Sequence, residues 1–323
     1  MIVRWGLAEL PGVLDELSVS RPLLVSTERW RHVQLPVRDR FHGVHAHAEI
    51  AGVKAAREAA GGADGLVALG GGSAIDTAKA VSSETGLPVV SIPTTYSGAE
   101  WTSGYGLRDR SARRKFGGGG ARTAAIVYEV ELTLGLPARE SAGTAMNALA
   151  HCAEALYTAG RSEETDAEAL AGAPLISRWL PVVAGNGHDH EARRCLLEGA
   201  MHAGAALLAG AALGHAIAQA LGGRYGLPHG TMNAVSLPAA LRFNSIAAAG
   251  ELARFGEAIG RADPVARVSE LAALAGPSRL RDCEVPREDL PGLSQAIAAL
   301  SAAKANPCPA RPDAVLELLK EMW

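Results

Sequence analysis

Two histidines, His215 and His229, bracket the run GHAIAQALGGRYGLPHG, and a third, His151, lies in TAMNALAHCAEALYT. In the latter stretch Asn147 and His151 are four apart, the spacing that puts two side chains on one face of a helix. Glu154, three beyond His151, falls close to that face. Imidazoles serve either as neutral metal ligands or as proton carriers near neutral pH. Asn147, His151, His215 and His229 could therefore form a four-ligand metal set drawn from three segments, or an acid–base site. The same histidines could also be packed residues of helices, and spacing alone leaves the three readings open.

A second group of residues suits an anionic ligand. LGGGSAIDTAK (69–79) follows a predicted strand and opens a predicted helix. Its glycines would let the backbone approach a ligand, and the helix-start N–H groups near Gly72 and Ser73 would suit a phosphate or pyrophosphate. The pattern is neither GxGxxG nor GxxxxGK[ST], and a plain glycine turn reads the same way. SIPTTYSGAEWTSGYGLRD (91–109) adds neutral donors and acceptors after another strand end, among them Thr94, Thr95, Ser97 and Thr102. Arg108, Arg113, Arg114 and Lys115 form a basic run that suits either a carboxylate or a solvated hairpin.

The elements that must position these groups change character along the chain. Residues 21–26, 87–95 and 123–128 read as strands, 49–60 as a helix, and 64–86 as strand, glycine turn and helix. That alternation predicts a parallel sheet with crossover helices. From Glu140 onward the texture is Ala- and Leu-rich, and 140–158, 164–180, 190–208, 231–247, 249–260 and 313–322 read as helices. The expected division is therefore 1–137, an α/β domain, and 138–323, an all-helical domain, with a ligand cleft where the two meet. The tetraglycine 117–120 reads as a flexible loop near that cleft.

Composition narrows the class. The 323 residues suffice for two domains, and 48% of them are hydrophobic but only 4% aromatic, so small aliphatic side chains must fill the core. A net charge of −3 argues against a broad nucleic-acid surface. Four cysteines without a CxxC pair suit a reducing compartment. The N-terminus lacks a signal-type apolar run and no segment reaches the length of a membrane span. These features predict a cytoplasmic protein with no membrane and no nucleic-acid partner.

In order along the chain, GGGSAIDTAK, IPTTYSGAEWT, IVYEVELTLGLPARESAGTAMNALAHCAEALYT and ALGGRYGLPHGTMNAVSLP resemble the iron-containing alcohol dehydrogenase superfamily. Within it they look most like the maleylacetate reductases, and ANPCPARPDAVLELL is similar to the tail of those reductases. The resemblance implies a Rossmann-like nucleotide-binding domain followed by a helical domain, a dehydroquinate synthase-like fold, and often a homodimer. It places Gly71, Gly72 and Ser73 at the pyrophosphate of NADH or NADPH, with Thr94, Thr95, Ser97 and Thr102 along the cofactor and Lys115 beside the nucleotide. Ser26, Thr27 and Glu28 at a strand end leave the choice between NADH and NADPH open.

The metal-dependent branch holds Fe2+ or Zn2+ with an Asp and three His. Those positions are Asn147, His151, His215 and His229 here, and the missing carboxylate should weaken an ion. Maleylacetate reductases typically carry a further histidine where this chain has Gln219, and another where it has LPA (237–239). The implied activity is hydride transfer to a small oxo- or ene-carboxylic acid. His215 and His229 would orient the substrate and one of them would donate a proton, with His151 and Gln219 completing the set. A metal-dependent alcohol dehydrogenase and a redox-neutral lyase or cyclase on the same fold are the alternative enzymes, and a degenerate nucleotide-binding protein is the non-enzymatic one.

Overall fold

The computed structural model describes every residue of the chain except Arg110 and Arg113. It divides into two compact units. One comprises Met1–Thr95 and Ala99–Thr133; the other comprises Tyr96–Gly98 and Leu134–Trp323.

The first unit is built on a parallel sheet. In chain order its elements are β1 (Ile2–Trp5), α1 (Leu10–Glu16), β2 (Pro22–Ser26), β3 (Asp39–Phe41), α2 (Ile50–Ala59), β4 (Gly65–Gly70), α3 (Gly72–Thr85) and β5 (Pro88–Pro93). A hairpin of β6 (Tyr105–Asp109) and β7 (Arg114–Gly118) follows, then β8 (Arg122–Tyr128). Six strands pair in the order β1-β8-β5-β4-β2-β3, every neighbour parallel. The alternation of strand side chains explains the two-sided cover. Leu66 and Ala68 of β4 turn to one face with Val53, Ala56, Ile75 and Ala78. Val67 and Leu69 turn to the other with Leu10, Val13 and Leu14 of α1. This is the α/β layering that the sequence predicts.

Half of the tetraglycine departs from its reading as a loop, while Gly119 and Gly120 lie outside the strands. Gly117 and Gly118 close β7 and pair across the ladder with Gly106 and Tyr105. Extended glycines satisfy a ladder as any residue does, so lack of side chains was a poor guide to lack of structure. Strands β1 and β3, four and three residues long, were not read from the sequence because such short runs carry almost no periodicity.

One buried carboxyl in this unit carries a pH signature. Glu100 is 2% exposed and accepts from the Tyr128 hydroxyl at 3.1 Å, which in turn accepts from Trp101 Nε1 at 2.8 Å. Burial pushes its carboxyl up to about 7, against the opposing effects of backbone hydrogen bonding, Tyr128 and Lys79. The folded chain thus keeps a proton that the unfolded chain releases above about 4.5, the ordinary value for a glutamate. Stability should therefore fall as pH rises through that window, by on the order of 3 kcal/mol from this residue. Denaturant unfolding at about pH 5 and about pH 8 checks this. Glu100→Gln should flatten the difference, and an unchanged difference would show that another group carries it.

The second unit is helical. Its elements are α4 (Ala138–Ala155), α5 (Glu163–Gly185), α6 (His190–Ala206), α7 (Leu213–Tyr225) and α8 (His229–Phe243). The smaller α9 (Ala249–Ala258), α10 (Pro264–Ala272), α11 (Leu290–Ala299), α12 (Ser301–Lys304) and α13 (Pro312–Met322) complete it. The helix expected over 164–180 continues through Pro174 and Pro181 to Gly185, with Leu180 and Val183 buried beneath it. Small residues govern the packing. A Cβ on Gly230 would stand 2.6 Å from the Gly143 carbonyl carbon, so α8 crosses α4 where neither has a side chain. That crossing brings Asn147 of α4 beside Asn233 of α8. No single helix is long and apolar enough to cross a membrane among the described residues.

Candidate active site

The helical unit brings His151, His215 and His229 together. The His151 and His215 rings stack with centroids 4.3 Å apart and planes 17° from parallel, and the His229 ring lies 6.0 Å from His215 at 51°. His151 and His215 are 5% and 7% exposed. His229 occupies the first turn of α8, directly after Pro228.

Glu154 is the group that fixes His215. It is fully buried, and its Oε2 accepts from His215 Nδ1 at 2.7 Å and from the Ala212 backbone N–H at 2.7 Å. Its Oε1 accepts from the Gly214 N–H at 2.7 Å and from the His215 N–H at 3.4 Å. The first turn of α7 thus finds its cap on another helix, and the carboxylate sits where the helix dipole favours negative charge. Leu213 N–H, the remaining donor of that turn, reaches Asn306 Oδ1 at 3.3 Å. Gly214 is required here, because a Cβ would stand 2.8 Å from Glu154 Oε1. The carboxylate holds a proton on Nδ1 of His215. Its Nε2 has no hydrogen-bond partner among the described residues and is the nitrogen open to a reactant.

His151 differs. Burial, with His215 beside it, holds its imidazole well below the ordinary histidine range, so it is neutral near pH 7. Its Nε2 lies 3.0 Å from Asn147 Nδ2. Asn147 Nδ2 also donates to the Ser97 carbonyl at 2.8 Å, and Asn147 Oδ1 accepts from Asn233 Nδ2 at 2.7 Å. Since a carbonyl can only accept, Ser97 fixes the orientation of the Asn147 amide.

That orientation bears on the four-ligand metal set. Asn147 turns an N–H toward His151 and directs its oxygen to Asn233, so the oxygen does not face the His151 ring. Two histidine rings stacked nearly parallel also do not converge on one ion as ligands do. Among the described residues, no group of three or more His, Cys, Asp or Glu side chains is arranged to hold a metal ion. The residues present do not fit a metal shell, and no step below is routed through one.

Tyr96–Gly98 belongs to this helical unit, and a buried arginine holds it there. Arg193 is 0% exposed and donates to Tyr96 OH at 3.0 Å, Ser141 Oγ at 2.8 Å, Leu136 O at 2.8 Å and Gly187 O at 2.8 Å. Ser97, expected along a cofactor, therefore also anchors the histidine cluster through its carbonyl. Gln219 lies one turn beyond His215 on α7 and is partly exposed. The residues missed from sequence are Asn233 and Arg193. Asn233 had a readable signal, because it stands four residues after His229 as His151 stands four after Asn147. Arg193 had none.

In the α/β unit, β4 ends at Gly70 and α3 opens at Gly72, so the glycine turn lies at a strand–helix junction. A Cβ on Gly71 would stand 2.9 Å from Thr95 Cγ2, leaving a cradle lined by bare backbone. Thr95 Oγ1 is buried with no hydrogen-bond partner among the described residues. Ser73 Oγ accepts from the His47 N–H at 2.9 Å, and Thr94 N–H donates to Gly70 O at 3.1 Å. Thr102 sits in a loop held by the buried Lys79, whose ammonium donates to Ala99 O at 2.7 Å and Thr102 O at 3.3 Å and pairs with Asp76 at 3.2 Å. Desolvation holds the Lys115 ammonium below the ordinary lysine range, partly offset by Asp76. Arg108 and Lys115 stand opposite each other in the β6–β7 ladder, Arg114 is exposed, and Arg113 lies outside the described residues. An orphaned hydroxyl beside a Cβ-free turn at a helix start fits the pyrophosphate of a dinucleotide.

Comparisons with known proteins agree over the whole chain. Residues 5–127 match the family described as iron-containing alcohol dehydrogenase, and residues 141–323 match the C-terminal part of the Fe-containing alcohol dehydrogenase family. The maleylacetate reductase of Burkholderia cepacia is 36% identical over 267 residues, covering 81% of this chain and 74% of the relative. That of Pseudomonas knackmussii is 33% identical over 332 aligned positions, covering 98% and 93%. The crystal structure of maleylacetate reductase from Agrobacterium tumefaciens superposes with a TM-score of 0.89 at 31% identity, covering 100% of this chain and 95% of that one.

Proposed function

The chain belongs to the iron-containing alcohol dehydrogenase family, and from that premise we propose that it reduces a small oxo- or ene-carboxylic acid of the maleylacetate type with NADH or NADPH. It is an NAD(P)-dependent oxidoreductase, and the comparisons favour neither the metal-dependent alcohol dehydrogenase nor the lyase or cyclase reading. The observation that carries the substrate-side chemistry is the Glu154–His215 pair, with Nδ1 engaged and Nε2 open.

In this proposal Gly71, Gly72 and Ser73 hold the cofactor pyrophosphate at the start of α3. Thr94, Thr95 and Thr102 line the dinucleotide, and Lys115 stands beside it. A reduced nicotinamide held there would supply a hydride to an electron-poor carbon. His215, in its doubly protonated form, would deliver the balancing proton from Nε2, with Glu154 bound at Nδ1 keeping the ring oriented. His151, neutral and pinned at Nε2, carries its proton on Nδ1 and can donate a hydrogen bond to a substrate oxygen. His229 and Gln219 orient the substrate. A homodimer in the cytoplasm completes the proposal, with β1 at the end of its sheet available to pair with a second copy.

The test is to mix purified protein with maleylacetate and either reduced cofactor and follow cofactor absorbance. Oxidation is expected, and its absence with both NADH and NADPH would overturn the substrate assignment. The cofactor site has its own check. Gly71→Ala forces a methyl against Thr95, an overpacking of about 1–3 kcal/mol, so the NADH Kd should rise about tenfold or more. Titration of cofactor fluorescence reads it, and an unchanged Kd would move the pyrophosphate elsewhere.

A further inference from the structure

We propose that Asn233, acting through Asn147, is a positioning residue that fixes which ring nitrogen of His151 faces the reactants. Five groups form a directional chain. The Ser97 carbonyl accepts from Asn147 Nδ2 at 2.8 Å; the other Asn147 amide hydrogen faces His151 Nε2 at 3.0 Å. Asn147 Oδ1 accepts from Asn233 Nδ2 at 2.7 Å, and Asn233 Nδ2 lies 3.2 Å from His229 Nε2. Asn233 is 0% exposed and Asn147 is 3% exposed, so water does not compete for these bonds.

The Ser97 carbonyl, which can only accept, sets the polarity of the Asn147 amide. Turning Asn147 over would set its oxygen against the Ser97 carbonyl oxygen. Turning Asn233 over would set its oxygen against Asn147 Oδ1. Both reversals bury two acceptors face to face, which is costly in a dry interior. The chain therefore delivers an N–H to His151 Nε2, which must accept it. The single proton of the neutral ring is thereby assigned to Nδ1, which is buried with no hydrogen-bond partner among the described residues. Asn147 and His151 on α4, and His229 and Asn233 on α8, are two Asn/His pairs at the same spacing, joined amide to amide at the helix crossing. The two amides orient the cluster by hydrogen-bond direction alone, with no charge introduced.

The inference rests on the histidine cluster being the reaction site, but its test needs no substrate. Two-bond proton–nitrogen correlation spectra of histidine-labelled protein report which ring nitrogen carries the proton. His151→Gln identifies the His151 signals. In the wild type above neutral pH, His151 should be the Nδ1–H tautomer. Asn147→Asp keeps the shape and the bond from Asn233 but can only accept, so the proton should move to Nε2 of His151. Asn233→Ala releases Asn147 Oδ1, and His151 should then show both tautomers. In the active enzyme Asn233→Ala should lower kcat about ten- to a hundredfold with the NADH KM within about twofold. A wild-type Nε2–H tautomer, or an Nδ1–H tautomer that persists in Asn147→Asp, overturns the proposal. Those spectra stand whether or not maleylacetate proves to be the substrate.

Discussion

His215→Asn lowers kcat by about 10²–10⁴-fold, the range for loss of a positioned general acid, while the NADH Kd stays within about twofold. The expectation follows from the position of the ring. Its Nδ1 is bound to Glu154 at 2.7 Å, and its Nε2 is the nitrogen left for chemistry. Asparagine preserves hydrogen bonding near neutral pH but cannot give up a proton. Glu154→Gln should act in the same direction, since an amide cannot accept from all four groups that the carboxylate serves. Two comparisons check the assignment. His215→Asn should retain the wild-type unfolding midpoint to within about 1 kcal/mol, the scale of one hydrogen bond. The double variant with Glu154→Gln should be no slower than the slower single variant, as for residues that act as a unit. Multiplying losses would mean that Glu154 serves the reaction by another route.

Arg193→Leu has the largest expected effect on stability, about 3 kcal/mol. The buried guanidinium donates to four neutral oxygens, and its removal takes a donor from each of two backbone carbonyls and two hydroxyls. A loss of that size is a large share of the roughly 5–15 kcal/mol of a typical domain. The same change removes one tie on Tyr96, the neighbour of the Ser97 carbonyl that orients Asn147, so kcat should fall as well. Arg193→Lys should recover little, because one ammonium cannot span the fork. Denaturant midpoints at constant slope measure it. A shift under about 1 kcal/mol would show that the Tyr96 segment is held by something else.

Local pattern made part of this architecture readable. The turn between β4 and α3 announced itself because three glycines follow an apolar run, and Asn147 with His151 because four residues make one helical turn. The parallel sheet was legible from alternation of strand-like and helical texture. What escaped notice depends on contacts across the chain. Arg193 looks like any helix-surface arginine until α4, α6 and the Tyr96 segment close over it. Glu154 was placed near the histidine face, but nothing local says that it caps α7 some sixty residues later. The polarity of Asn147 is set by one carbonyl, fifty residues upstream. Sequence can count an asparagine as a ligand with an oxygen to offer, whereas only the fold decides which end of the amide faces His151.

The reaction itself is tested most directly by isotope transfer. Protein exhaustively treated with a chelator is mixed with maleylacetate and NADH, or NADPH, deuterated at the transferring position of C4, and the product is analysed by mass. One deuterium should appear on carbon in the reduced product for each cofactor oxidised, at the rate seen before chelation. Product without label, no product with either cofactor, or activity that returns only when iron or zinc is added would contradict the account.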